Sequence, residues 1–455
     1  AVIFIFLMFF APQSIINFIN ISVEVQTVRD KLSVLEEYFG HDSFREGQDR
    51  ITDSLLGGHD VLGIMPTGAG KSICYQVPAL MFDGITIVVS PLISLMKDQV
   101  SALVQSGVAA AYINSSLTHA QYLKVLQNTE SGKYKIIYVA PERLCAPAFL
   151  GICRNLNISM VAVDEAHCVS QWGQDFRPSY LKIPDFIDAL NSRPVVGAFT
   201  ATATGDVRDD IKTLLRLVSP LVVTTGFDRP NLFFSVMQPK NKSIELMKLI
   251  KERKNESGIV YCSTRKAVEE VCELLQKNGF AATRYHAGLD ENERRRNQDD
   301  FVYDRAAIMV ATNAFGMGID KSNVSFVIHY NMPQSMENYY QEAGRAGRDG
   351  EPAKCILLFS TQDVMISKLL LGSKDFEGMD FQEIEQVKHQ DSRRLQLMEG
   401  YCMTTSCLRN YILKYFGETT HQPCDNCGNC HQEFEELDMT LDAKWVVGCI
   451  TEMRG

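Results

Sequence analysis

Short apolar runs alternate with amphipathic stretches along most of this chain, and that alternation restricts it to parallel sheets flanked by helices. Residues 61–64, 85–90, 135–139, 160–163 and 195–199 read as buried strands. Helical patterns lie between them, for example 93–107 and 119–131. After a break at 226–231 the pattern restarts, with strands expected at 258–262, 282–285, 307–311, 325–329 and 354–359. At 455 residues the chain is too long for one compact domain. The fold class expected is α/β, with two parallel-sheet domains joined at Asp228-Arg229-Pro230-Asn231. From Thr361 the strands stop, and helix formers run to Phe416.

The first motif with chemistry is Met65-Pro66-Thr67-Gly68-Ala69-Gly70-Lys71-Ser72, between a strand and a helix. A Gly-rich loop there lets main-chain N–H groups converge on phosphate oxygens. Lys71 would neutralise the β/γ-phosphates of ATP, and the Ser72 hydroxyl would ligate Mg²⁺. Met65 stands where the P-loop pattern has its first glycine. Further on, a strand runs straight into Asp164-Glu165-Ala166-His167. Carboxylates at a strand's C-terminal end face the ligand crevice of a parallel sheet. Asp164 would hold Mg²⁺, and Glu165 would orient and deprotonate the attacking water. Charge on the γ-phosphoryl group must also be met from the far side. The candidates are the arginines of Gln341-Glu342-Ala343-Gly344-Arg345-Ala346-Gly347-Arg348-Asp349, with Arg348 as the finger and Arg345 beside it. If the segment is helical, the two share a face.

Cys407, Cys424, Cys427 and Cys430 carry the spacing C-x16-C-x2-C-x2-C. Four thiolates suit tetrahedral Zn²⁺ in a folding role, with turn formers between the ligands. Cys402, His421 and His431 lie nearby as substitutes. The other nine of the 13 cysteines are scattered, and those inside apolar runs (Cys74, Cys153, Cys262 and Cys355) read as small buried residues in a reducing compartment.

Collinear with these motifs are others that together resemble the RecQ DNA helicases of helicase superfamily 2, from about Leu35 to the last residue. Phe44-Arg45 with Gln48 is similar to the adenine-reading motif. Residues 90–99 and 140–144 are similar to strand-contacting motifs, and Asp164-Glu165-Ala166-His167 is the RecQ form of the acidic box. Residues 168–178, with Trp172, Phe176 and Arg177, resemble the aromatic-rich loop. Thr200-Ala201-Thr202-Ala203, residues 227–231, His286-Ala287-Gly288 and residues 311–320 continue the match.

The resemblance implies two tandem RecA-like domains, a zinc subdomain ligated by the four cysteines, and a winged-helix domain beginning at 441–452. Expected boundaries are 1–23 (extension), 24–226, 227–365, 366–435 (zinc subdomain) and 436–455. The resemblance also implies 3′-to-5′ translocation on single-stranded DNA and duplex separation. Arg45, Gln48, Thr67, Gly68, Ala69, Gly70, Lys71, Ser72 and Asp320 are expected at ATP. Gln341 and His167 are expected to join the catalytic set. Ser90, Trp172, Phe176, Arg177, Ser263, Thr264, Arg265 and Thr312 are expected at the strand. Flat side chains stack on unpaired bases without sequence preference.

A net charge of −10 excludes a general basic coat, so short polar groups and helix N-termini must carry phosphate contacts. Residues 1–23 carry no charge, but Pro12, Gln13, Asn17 and Asn20 interrupt the apolar run. A translation artefact or a surface-packed segment is expected there, not a membrane anchor. Expected partners are single-stranded and tailed or forked duplex DNA, with single-strand binding protein a further candidate, and the chain is expected to be a monomer. The location expected is bacterial cytoplasm, or the nucleus in a eukaryote. An RNA helicase and an ATP-gated binding module are the alternatives.

Overall fold

The computed structural model describes residues 30–173, 175–315, 321–373, 381–419, 423–432, 434 and 438–453. Residues 1–23 and Asp320, for which expectations were stated above, lie outside them.

The first sheet contains β1 (Val61–Ile64), β2 (Ile85–Val89), β3 (Ala110–Ile113), β4 (Ile136–Val139), β5 (Ile158–Val163), β6 (Val195–Thr200) and β7 (Leu221–Thr224). Its order is β3-β4-β2-β5-β6-β1-β7, parallel throughout. The second contains β8 (Leu232–Met237), β9 (Gly258–Tyr261), β10 (Ala282–Tyr285), β11 (Ile308–Ala311), β12 (Phe326–His329) and β13 (Ala353–Leu358). Its order is β10-β11-β9-β12-β13-β8, also parallel. Each is a RecA-like layer with helices between the strands.

Central strands such as β1, β2 and β4 are buried along their full length. That is why they read as continuous apolar runs. Three strands escaped the sequence reading: β3, β7 and β8. All three are edge strands. β7 and β8 are only partly buried, so neither needs an unbroken apolar run.

The chain then becomes helical over Thr361–Gly372, Phe381–Met403 and Leu408–Tyr415, as expected for this stretch. The cysteine knuckle follows and joins the edge of the second sheet: Gly428 N–H donates to the Phe234 carbonyl at 2.7 Å. One continuous apolar core runs through both sheets and this subdomain. At its centre, between the sheets, Phe227 stacks on Phe416 (ring centroids 4.4 Å apart, 9° between planes). Tyr340 packs against both rings and donates its hydroxyl to the Phe227 carbonyl at 2.8 Å. The helix Thr440–Met453 leaves Trp445, Val447 and Ile450 exposed. Among the described residues no helix is long and apolar enough to cross a membrane.

Replacing Phe416 by Ala is expected to cost about 3–5 kcal/mol, seen as an earlier urea-unfolding midpoint. Leu369→Ala, on an exposed helical face, should change stability by under about 0.5 kcal/mol.

Candidate nucleotide site, strand-contact loops and zinc centre

In a parallel sheet every strand delivers its following loop to the same edge. The P-loop follows β1, Ser90 follows β2, Asp164 follows β5 and Thr200 ends β6. Because β6 lies between β5 and β1, Thr200 stands between the acidic box and the P-loop.

The P-loop turns on Gly68 (φ 85°) and Gly70 (φ 77°), a left-handed conformation that suits glycine. Helix Lys71–Met81 starts directly after Gly70, so its unpaired N–H groups open toward the loop. Met65, the departure from the P-loop pattern, is fully buried and extends β1 through its N–H to the Thr200 carbonyl at 3.0 Å. Its own carbonyl accepts from Lys71 Nζ at 3.1 Å. The position is a core position, which is why a large apolar residue is tolerated there. Arg45 Nη1 donates to the Gly68 carbonyl at 2.7 Å. Gln48 Nε2 donates to the carbonyls of Ala69 and Gly70 at 3.0 and 3.1 Å. Thr67 Oγ1 is buried without a hydrogen-bond partner, an orphan that a phosphate oxygen would satisfy. Ser72 lies in the first turn of the helix, half-buried.

Burial pushes the Lys71 ammonium down; Glu165 and Asp164 oppose that shift. Burial, then the neighbouring Glu165, pushes the Asp164 carboxyl up to about 7, with Lys71 opposing. Glu165 adopts φ 46°, ψ 48°, a strained backbone for a non-glycine residue, and its Oε2 is buried without a hydrogen-bond partner. An acidic pair with an unsatisfied oxygen beside a buried ammonium fits a divalent cation. His167 Nδ1 lies 2.9 Å from Thr200 Oγ1 and 3.4 Å from Glu165 Oε2. The Thr200 hydroxyl donates to the Thr202 carbonyl at 3.2 Å, so it accepts from a proton on His167 Nδ1. Burial lowers the His167 pKa, which keeps the ring neutral at pH 7.

Helix Met336–Ala343 carries Gln341, but residues 344–349 form a turn, so Arg345 and Arg348 do not share a helical face. The turn separates them instead. Gly347 (φ 57°) carries the chain to Arg348, whose Cγ is 3.4 Å from the point where a Gly68 Cβ would stand. Arg345 is buried and hydrogen-bonds Tyr261 at the end of β9, inside its own domain. A Cβ on Gly344 would collide with Thr67 Oγ1, so the Thr67 side chain packs directly on the Gly344 backbone where the two domains meet. Arg229 joins this contact from the linker, donating to the Thr67 carbonyl at 3.0 Å. The sequence reading quoted Arg229 within a motif and assigned it no role; nothing in its local pattern announces a contact so distant along the chain.

The expected strand-contact residues divide into two groups. Ser90 follows β2 and is fully buried, with its hydroxyl unpartnered. Ser263 and Thr264 follow β9 and Thr312 follows β11, on the corresponding edge of the second sheet. Thr264 caps helix Arg265–Lys277 through Ala267 N–H at 3.1 Å, which places Arg265 at that helix's first position. Trp172 is 39% exposed and Phe176 half-buried, both available on the aromatic loop. Arg177 is occupied within the protein: it pairs with Asp175 at 3.0 Å and donates to the Pro91 carbonyl at 3.0 Å. It ties the aromatic loop to the loop after β2. Arg394, from the long helix Phe381–Met403, donates to the Trp172 carbonyl and ties the same loop to the zinc subdomain.

The sulfurs of Cys407, Cys424, Cys427 and Cys430 all lie within 4.8 Å of one another. Cys424 and Cys430 are 3.9 Å apart, as are Cys427 and Cys407. Tetrahedral Zn–S bonds of about 2.3 Å require sulfur–sulfur edges of about 3.8 Å, so the cage fits the ion. Burial raises the Cys424 and Cys430 thiols, while backbone donors at Cys430 and Leu408 outweigh burial at Cys427 and lower it, so the four sulfurs share protons as one set. Cys407 caps helix Leu408–Tyr415, whose N-terminus favours a thiolate. His431 is turned away onto Phe233 and the Asp425 carbonyl, and Cys402 is buried in the core. His421 lies outside the described residues.

Fold and site together define a helicase core: two RecA-like layers, a P-loop and acidic box on one, and an arginine turn from the other laid across the cleft. The DEAD/DEAH box helicase family matches residues 45–211, the helicase conserved C-terminal domain 241–350, and the RecQ zinc-binding domain 361–431. An ATP-dependent DNA helicase RecQ from Bacillus subtilis is 46% identical over 426 residues, 93% of this chain and 70% of that protein. The protein of the same name from Pasteurella multocida is 42% identical, over 94% of this chain and 66% of its own length. The chain belongs to the RecQ family of ATP-dependent DNA helicases. Its fold is also that of the DEAD-box helicase Mss116 bound to ssRNA and UDP-BeF (TM-score 0.64, 17% identity, 86% of this chain and 90% of that one).

One zinc ion per chain is expected by atomic absorption. Cys427→Ser should reduce that content and lower the melting temperature, as should a strong chelator on the unaltered protein.

Proposed function

We propose that this chain is a DNA-stimulated ATPase that moves 3′-to-5′ along single-stranded DNA and separates the duplex ahead of it, in recombination and repair. The observation that carries the reading is the cleft itself. Arg348, from the second domain, lies against Gly68 of the P-loop, while the strand-contact loops of both domains share the sheet edges that form the cleft. Hydrolysis chemistry and strand contact are thereby tied to one interdomain motion. The domain boundaries stated above accompany this proposal.

In this reading Arg45 and Gln48 recognise adenine at the P-loop rim. Thr67, Gly68, Ala69, Gly70 and Lys71 bind the phosphates through N–H groups and the ammonium. Ser72 and Asp164 would hold Mg²⁺, which neutralises charge on the β- and γ-oxygens. Glu165 accepts the proton of the attacking water. Neutral His167, fixed by Thr200, joins that acid to the motif at the end of β6. Arg348, with Gln341 and Arg345 behind it, meets the charge on the transferred phosphoryl group. Asp320 is assigned to the same site.

Ser263, Thr264 and Arg265 hold strand phosphates, and Trp172 and Phe176 stack on bases, whereas Ser90 and Thr312, expected at the strand, are buried and would reach it only if the loops around them moved. The pairing of Arg177 with Asp175 supports a loop-fastening role for it ahead of a DNA contact. Forked or tailed duplexes are the natural substrates, single-strand binding protein is a candidate partner, and the chain acts as a monomer. It works in the cytoplasm of a bacterium or the nucleus of a eukaryote.

The deciding experiment is ATP hydrolysis alone, with ssDNA and with ssRNA. Strong stimulation by ssDNA is expected. Lys71→Ala should lower kcat by about 10²–10³-fold. Trp172→Ala should weaken ssDNA binding by about 1–3 kcal/mol and blunt the stimulation. Equal or greater stimulation by RNA would instead identify an RNA helicase, and none by either polynucleotide would leave a nucleotide-gated binding module.

The raised Asp164 carboxyl adds a pH signature. Mg²⁺ needs the carboxylate, and below about pH 7 that group holds a proton. Affinity for a magnesium-bound, non-hydrolysable ATP analogue should fall about tenfold between pH 8 and pH 6. Asp164→Asn should remove that component of the pH dependence.

A further inference from the structure

Arg229 sits on the short linker between the two sheets, and its guanidinium spans the cleft. Nη1 donates to the Thr67 carbonyl of the P-loop at 3.0 Å and to the Gly344 carbonyl at 3.3 Å. Nη2 donates to the Ala346 and Gly347 carbonyls at 3.0 and 2.8 Å. Nε lies 3.4 Å from Asn231 Oδ1. All five acceptors are neutral, four main-chain carbonyls and the Asn231 side-chain amide, so no carboxylate hydrogen-bonds the cation, although Asp349 lies near enough to attract it. Nη1 also lies 3.8 Å from where a Gly68 Cβ would stand, and Arg348 approaches the same point at 3.4 Å. Two arginine side chains, one by its guanidinium and the other by its aliphatic stem, therefore flank one P-loop glycine.

The linker that carries Arg229 is itself held from below. Arg409, two residues after the zinc ligand Cys407, donates to Asp228 Oδ1 at 2.6 Å and to the carbonyls of Arg229 and Leu232. Asn426, between two further zinc ligands, donates to the Pro230 carbonyl at 2.8 Å. Phe227 N–H bonds Glu418. The main chain of the linker is thus fastened to the zinc subdomain while the Arg229 side chain reaches the nucleotide loop.

We infer that Arg229 is a positioning residue of the ATPase: it holds the P-loop backbone in register with the turn bearing Arg345 and Arg348, and the zinc subdomain anchors it through Arg409 and Asn426. The inference rests on the ATPase reading proposed above. A planar fork with several donors is what four converging carbonyls require; lysine supplies one point donor and cannot reproduce the geometry. Misplacing a catalytic group by about 1 Å can cost about a hundredfold in rate. A residue that fixes the finger's distance to the phosphates acts on kcat more than on ground-state nucleotide binding.

The test compares Arg229→Gln and Arg229→Lys with Asn231→Ala in the full chain with its zinc. Asn231 is the comparison: it donates to the Gly347 and Glu351 carbonyls, both at 2.9 Å, and accepts from Arg229 Nε at 3.4 Å, so its loss removes support of the turn and one contact of Arg229 while leaving the Arg229 bond to the P-loop in place. Arg229→Gln is expected to lower ssDNA-stimulated kcat by about tenfold or more while ADP affinity changes less than about threefold. Arg229→Lys should fall in between, and Asn231→Ala should stay within about threefold of the unaltered protein. Small-angle scattering of the free protein should show an expanded radius of gyration for Arg229→Gln and none for Asn231→Ala, at unchanged zinc content. A kcat for Arg229→Gln within threefold, or an equal loss in Asn231→Ala, would overturn the inference. If the unaltered protein hydrolyses no ATP, the functional reading fails by itself. The scattering then decides Arg229: an unchanged radius overturns its bridging role, and an expanded one supports it.

Discussion

The close packing of the Thr67 side chain on the Gly344 backbone is the constraint on which the rest of this structure depends. Only a residue without a side chain fits at 344, because a Cβ there would strike Thr67 Oγ1. That close approach brings Arg348 to Gly68 and lets one linker arginine reach both sides of the cleft. The two sheets could each fold without it, since each has its own apolar layers. What the contact adds is a site shared between domains: neither sheet alone carries both the P-loop and Arg348, the proposed finger.

The cleft is also where burial works against charge. Lys71, Asp164 and His167 are all desolvated, and each is perturbed in the direction that burial demands. Their mutual attraction compensates only in part, and Glu165 retains an unsatisfied oxygen and a strained backbone. Such frustration is stable only when the surrounding sheet over-determines the geometry. Here β1, buried along its full length, and its largely buried neighbours β5 and β6 supply that rigidity. A nucleotide with its cation would relieve the imbalance, which is the physical sense in which the site is prepared.

The zinc subdomain is more than an appendage. Its ion cage is joined to the edge strand β8, its helices pack into the core that runs between the sheets, and its Arg394 holds the aromatic loop. A folding role for the ion thus reaches the linker and the strand-contact loop together. The acidic net charge is compatible with the proposed strand contacts for a related reason: the groups proposed for them are short side chains and helix ends at sheet edges, so a basic surface is not required.

The sequence by itself determined the two parallel sheets, the P-loop, the acidic box and the zinc cage, because each is a local pattern. A central strand must be apolar along its length, a phosphate loop needs glycines beside a helix start, and a tetrahedral site needs four sulfurs at knuckle spacing. The edge strands β7 and β8 were illegible because exposure relaxes that demand, and β3, though largely buried, because its Ala110-Ala111 start carries little strand signal. The helical face imagined for Arg345 and Arg348 was likewise local reasoning, and the Gly347 turn replaced it with a geometry that parts the two. Tertiary structure alone decided that Arg177 would fasten a loop, that Thr200 would stand beside His167, and that Arg229 would bridge the cleft. These partners lie far apart along the chain, and no local periodicity records a contact that exists only once strand order and interdomain packing have brought them together.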